Sequence, residues 1–234
     1  MEHEPSSILA TAEVIHWIAL VVMAAVYSLR LRWLFSFKLA KDRSAPGNPA
    51  RSDGKRGARH SLLNVLMPWG MESTRKNFGF YLTFVLFHLG VVAGITLAFV
   101  STVAVGFLKI PAVFVVFEAL LIGAFLIGVY RILRRLLRPV MRLISTPDDY
   151  FSLALLLVWF LFSILAAPNS RQDSELPLLA YFFLTAFFLV YVPFSRISHY
   201  IYYPFSRWYL GKTLGHRGVF PIRRGGPAHT FSKP

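Results

Sequence analysis

Five ionisable side chains, Glu13, His16, His88, Glu118 and His199, lie within or at the end of stretches that are otherwise almost wholly apolar. An ionisable group in hydrocarbon is costly, so chemistry is the first reading for each of them. Imidazole is the most versatile type here: it carries protons near neutral pH, hydrogen-bonds across helices and ligates metals through either ring nitrogen. The chain contains no cysteine. Disulfides, thiolate-held iron-sulfur clusters and covalently attached haem c are therefore excluded, and any redox centre must be held by His or Met.

The elements that position these residues are long apolar helices. Of 234 residues, 56% are apolar and 15% charged, and the mean hydropathy is +0.54, which excludes a soluble globule of this size. The apolar runs are long enough to cross a hydrocarbon core of about 30 Å as helices, whereas a spanning strand would be about half as long and would alternate. Spans are expected at about residues 8–35, 80–105, 111–130, 150–167 and 178–199, an all-α integral membrane fold of five transmembrane helices in a single domain. The first run lacks the basic start and small-residue cleavage site of a signal peptide. Lys109-Ile110-Pro111 marks the start of the third span and Pro168-Asn169-Ser170 the end of the fourth. At Thr146-Pro147-Asp148-Asp149 a capping hydroxyl, a proline at the first helical position and two carboxylates in the first turn predict a helix start.

Residues 36–79 form a connecting loop and 200–234 a tail. Lys41 to Arg59, rich in Ser, Gly, Pro and Arg, reads as a mobile segment, whereas Ser61 to Trp69 is apolar enough to lie among headgroups or against a partner. The formal charge of +14 is very unevenly placed. Eleven Lys and Arg fall between Arg30 and Lys76, five between Arg131 and Arg142 and seven between Arg196 and Lys233, against Lys109 and Arg171 on the opposite side. By the positive-inside rule the N-terminus, with Glu2 and Glu4, is outside and the tail cytoplasmic. The basic surplus is a topology signal and a contact with anionic lipid, and nucleic acid is not an expected partner.

His88 stands about 16 Å inside the Lys76-Asn77 anchor, and His199 about 12 Å from Arg207, at 1.5 Å per helical residue. Both imidazoles thus fall in the cytoplasmic half, on helices of opposite direction. Two histidines at one depth can hold the iron of a b-type haem, with Gly90 and Gly94 as small neighbours for its flat ring; each can also act as a hydrogen-bonding or solvated residue. Glu118, eight residues into the third span, is a candidate proton acceptor for a quinol, or a hydrogen-bonding partner of a Ser or Thr. His16 and Glu13, one turn apart, are a local pair or an unusual ligand on the outer side. His60, His216 and His229 lie in basic polar segments and read as solvated, and His3 is terminal.

At Leu86-Phe87-His88-Leu89-Gly90, and at Val192-Pro193-Phe194-Ser195-Arg196-Ile197-Ser198-His199, the sequence resembles the gamma subunit of respiratory nitrate reductases. It is similar also to that subunit's relatives, the cytochrome b subunits of heterodisulfide-reductase-like and sulfite-reduction-associated membrane complexes. The resemblance covers roughly Met71 to Arg217. It implies haem axial ligands at His88 and His199, electron transfer between a quinone pool and a cytoplasmic iron-sulfur or flavin subunit, and residence in a prokaryotic inner membrane. Members of that family usually carry a second haem near the outer face, whose ligands would fall at Ala98 and Tyr181 here. Both are lost together while the cytoplasmic-side pair is kept, which implies a single haem b. Arg196, three residues before His199, is a candidate partner for a haem propionate or an interfacial topology charge. The redox partner is expected to dock on Ser61 to Ser73, Arg131 to Asp149 and Tyr200 to Arg217. A haemless anchor for a soluble oxidoreductase is the alternative, and a small transporter is disfavoured because no inverted repeat or broken span appears.

Overall fold

The computed structural model describes residues 6–38, 40, 42–168 and 174–221; Glu2, His3, Glu4, Lys41, Asn169, Ser170, Arg171, His229 and the rest of the tail lie outside the described residues. The described residues are 85% helical, with no strand among them. Its helices are α1 (Ser7–Ser36), α2 (Gly54–Leu63), α3 (Glu72–Lys76), α4 (Phe78–Val103), α5 (Pro111–Leu137), α6 (Pro139–Ile144), α7 (Pro147–Ala166), α8 (Leu176–Tyr191) and α9 (His199–His216). Five of them, α1, α4, α5, α7 and α8 with the turn that follows it, are long and apolar enough to cross a membrane. These helices overlap the five expected spans; the third runs seven residues past its expected end, to Leu137, and the fifth stops short of His199.

There the sequence predicts a continuous helix through His199, but α8 stops at Tyr191 and gives way to 3-10 turns at Val192–Phe194 and Arg196–Ser198. Pro193 supplies no N–H to carry the helical ladder on, so the chain turns. Arg30 of α1 donates to the Pro193 carbonyl, and its guanidinium lies 4.9 Å over the Phe194 ring. A cation at this point satisfies a carbonyl that the broken helix leaves without its usual partner.

The described residues fall into two compact units, the first made of Met1–Ser36 and Gly79–Ser198, the second of Phe37–Phe78 with His199–Pro234. In the first unit α1 packs along α8, and α7 packs against both α5 and α8. The buried face of α4 follows the helical repeat through Phe87, Gly90, Gly94, Leu97, Ala98 and Ser101. Its glycines permit close crossings: a Cβ at Gly90 would stand 2.1 Å from the Ala124 Cβ of α5, and one at Gly94 would stand 2.4 Å from the Trp159 ring of α7. Small residues at such crossings let backbones approach where lipid offers no hydrophobic drive for association. The expected start of α7 is observed, with the Asp149 carboxylate accepting both the Thr146 N–H at 2.8 Å and its hydroxyl at 2.9 Å.

The second unit departs from the expected loop and tail. The stretch expected to be mobile, Lys41 to Arg59, contains the first six residues of α2, whose N-terminus is capped by the Asp53 carboxylate accepting the Arg56 N–H at 2.9 Å. The tail contains α9, and the two helices pair through small residues: Gly57, Ala58 and Ser61 on α2, Gly211 and Gly215 on α9. The Asp53 N–H donates to the Gly215 carbonyl at 3.0 Å. The Ser52 hydroxyl donates to the His216 carbonyl at 2.7 Å. Arg217 pairs with Asp42 at 2.6 Å and holds that carboxyl well below the usual carboxylate range. Composition read Gly57 as part of a mobile loop because the partner that makes it useful lies about 150 residues away.

Candidate functional site

His88 sits near the middle of α4 and is half-buried. Its Nδ1 lies 2.8 Å from the Phe84 carbonyl one turn back, with the rings of Phe84 and Phe87 at 4.3 Å and 6.0 Å. A carbonyl only accepts, so the proton of the neutral ring is on Nδ1 and the lone pair on Nε2. Metal-ligating histidines adopt this arrangement: the hydrogen bond on one nitrogen fixes the tautomer and orients the other. The donor chemistry of His88 therefore fits an axial ligand.

The other expected residues are placed differently. His199 opens α9 and is exposed; it belongs to the second unit and His88 to the first. The space beside Gly90 and Gly94, reserved by the sequence reading for a flat ring, is occupied by Ala124, the Leu120 carbonyl and Trp159. Arg196 already has anionic partners in the first turn of α7, Asp148 at 3.6 Å and Asp149 at 3.3 Å. The same carboxylates gather Arg135, 4.0 Å from Asp149, and the Tyr191 hydroxyl, which donates to Asp148 at 3.0 Å. This cluster ties the ends of α5, α7 and α8 together, so a propionate at Arg196 would share a guanidinium already in use. Glu118 is half-buried on α5. Among the described residues no group of three or more His, Asp or Glu side chains is assembled that could hold a metal ion on its own.

Ala98 and Tyr181 stand at the two positions where the resemblance would place a second pair of ligands. Both are buried. The Tyr181 hydroxyl donates to the Gly94 carbonyl at 2.6 Å, and its ring stacks on Trp159 with centroids 6.5 Å apart. The Trp159 indole N–H donates to the Thr185 hydroxyl at 2.9 Å, which in turn donates to the Tyr181 carbonyl at 2.7 Å. Every polar group in this set has a partner, as a buried network requires. The region is a filled core. Sequence reading missed Trp159 and Thr185 because an aromatic and a hydroxyl in an apolar span give no local signal of their pairing. Tyr181→Phe removes the bond to Gly94 while keeping the ring. The variant is expected to lose about 1 kcal/mol of stability, measured as the shift in an unfolding titration in detergent.

His16 is the outlier. It is 1% exposed, surrounded by Trp17, Phe99 and Phe182 at ring distances of 5.8, 6.3 and 5.8 Å. Neither ring nitrogen has a hydrogen-bond partner among the described residues.

No family model matches the chain, and no solved structure matches it. A protein of Nitratidesulfovibrio vulgaris (strain Hildenborough) is 31% identical over 216 residues, which cover 90% of this chain and 92% of the relative. With that identity over nearly the whole of both chains, this chain belongs to the same family as the Nitratidesulfovibrio vulgaris protein.

Proposed function

We propose that the chain is the membrane cytochrome b subunit of a respiratory complex. In this reading it passes electrons between a quinone pool and a cytoplasmic iron-sulfur or flavin subunit through one haem b ligated by His88 and His199. The observation that carries the reading is the His88 Nδ1 bond to Phe84, which presets the imidazole as a metal ligand inside a span. The filled core at Ala98 and Tyr181 supports one haem in place of two. The concentration of Lys and Arg on one side supports an outside N-terminus and a cytoplasmic tail in a prokaryotic inner membrane.

Bound haem would supply a one-electron redox centre. The protein's part is to fix the ligand tautomer at His88 and to exclude water with the apolar faces of α4, α5, α7 and α8. Glu118 is the proton acceptor proposed for quinol oxidation. A specific observation favours a second reading, a haemless anchor that docks a soluble oxidoreductase: Gly90 and Gly94 are closed by neighbouring helices and Arg196 is already paired.

An absorbance spectrum of the purified, dithionite-reduced protein separates the two. A b-type alpha band, with pyridine haemochrome analysis giving about one haem per chain, is the expected result. A spectrum with no haem contribution in protein made with sufficient haem supply would leave the anchor as the function. A stoichiometry near two would show that other residues, His16 first among them, replace the missing outer ligands.

A further inference from the structure

We propose that the described residues of the unit formed by Phe37–Phe78 and His199 to Pro221 make an anionic-lipid-binding module. It lies on the bilayer surface with large apolar side chains in the acyl boundary and its basic side chains on acidic headgroups. This inference is independent of whether the chain carries haem.

The small-residue faces of α2 and α9 are used up against each other, so what remains outward defines the surface. One component is apolar. Leu63 at the end of α2, and Leu66 and Trp69 in the two short 3-10 turns that follow, are 52%, 66% and 66% exposed, and α9 adds Trp208 and Leu210 at 42% and 45%. In a water-facing domain such a set would be a liability. Tryptophan and leucine beside basic residues are the composition of an interfacial membrane contact.

The other component is charge. Arg51, Lys55, Arg56, Arg59 and Lys212 are all exposed. The acids among the unit's described residues are Asp42, Asp53 and Glu72, and each has a partner within the unit: Arg217, the Arg56 N–H and Lys76. Asp53 keeps its charge at the start of α2, but the unit's described residues hold eleven Lys and Arg against these three acids, a strong positive surplus. A cleft of 540 Å³ at the start of that helix, lined by Arg51, Ser52, Asp53, Arg56 and the chain from Gly218 to Pro221, adds room for a headgroup beside two guanidinium groups.

Covalent connectivity fixes which acidic surface is within reach. The unit begins one residue after α1 ends at Ser36, and its first segment ends at Phe78, the first residue of α4. The acidic surface nearest the unit along the chain is therefore that of a lipid leaflet. An anionic leaflet attracts juxtamembrane basic residues by about 1 kcal/mol each, about fivefold per charge.

The cysteine-free chain is its own background for spin labelling. Full-length Leu66→Cys and Ala45→Cys proteins, each nitroxide-labelled, are placed in nanodiscs of phosphatidylcholine alone or with phosphatidylglycerol. Collisions with an aqueous nickel chelate are then measured. With phosphatidylglycerol the label at position 66 is expected to be at least about fivefold less accessible than that at 45. Lys55→Gln, Arg56→Gln and Arg59→Gln combined with Leu66→Cys should abolish the lipid dependence. Two outcomes overturn the proposal: equal accessibility at both positions in both discs, or equal protection of position 66 with and without phosphatidylglycerol. Protection that appears only when a second protein binds the disc also overturns it and makes this face a protein-docking surface.

Discussion

His88→Ala is expected to bring the reduced b-type alpha band to background while the protein still inserts and purifies in normal amount. His199→Ala is expected to do the same. Each substitution removes one of only two proposed axial ligands in a chain with no cysteine to take its place. The Phe84 carbonyl that the His88 Nδ1 meets at 2.8 Å belongs to the same helix, so loss of that contact leaves the helix ladder intact. Loss of the spectrum therefore reports ligation and not unfolding. His16→Ala is the internal control and should leave the band unchanged. Full reduced absorbance in either the His88 or the His199 variant would refute the ligand assignment, and loss of the band in His16→Ala would move it to α1.

The second large effect is expected at the α2-α9 crossing. A Cβ at Gly57 would lie 2.3 Å from the Gly211 carbonyl oxygen and 2.7 Å from the Gly215 Cα, both backbone atoms that cannot swing away. The approach is reciprocal: a Cβ at Gly211 would meet the Gly57 carbonyl oxygen at 2.5 Å, and one at Gly215 the Asp53 carbonyl oxygen at 2.5 Å. Gly57→Leu must force the helices apart and break the Asp53 to Gly215 backbone bond, a cost of about 3 kcal/mol or more. The expected readout is loss of amide-exchange protection over α2 and α9, with trypsin cleavage at Lys55, Arg56 and Arg59, while the spans keep their protection. Gly123→Ala in α5, where a Cβ meets nothing within 4 Å, should be neutral or slightly stabilising. Unchanged protection in Gly57→Leu would mean that the crossing is not close-packed.

How much of this could be read from residues alone differs by level. Five spans follow from local sums, since an apolar run of sufficient length has no other stable arrangement than a membrane helix, and the helices indeed fall where the runs are. The start of α7 is equally local: Thr146, Pro147 and Asp149 carry the cap within four residues. The paired absence of histidine at positions 98 and 181 was visible as well. Its consequence was not, because the Tyr181 hydroxyl reaches a carbonyl 87 residues away and the Trp159 indole a hydroxyl 26 residues away.

Pattern also misjudged what glycine is for. Gly90 and Gly94 read as space for a ring and Gly54 and Gly57 as flexibility, whereas in the structure all four admit a neighbouring helix. The end of the fifth span was overextended for a related reason: hydropathy continues through Pro193, but the hydrogen-bond ladder does not. Sequence by itself determined the apolar spans and the start of α7, because hydropathy and capping act within a few residues of one another, but not α2 and α9, whose small-residue faces have meaning only against each other. Only the tertiary structure decided which helices touch, which glycines are filled and which polar atoms are paired, because those depend on contacts between residues far apart in the chain that no spacing rule encodes.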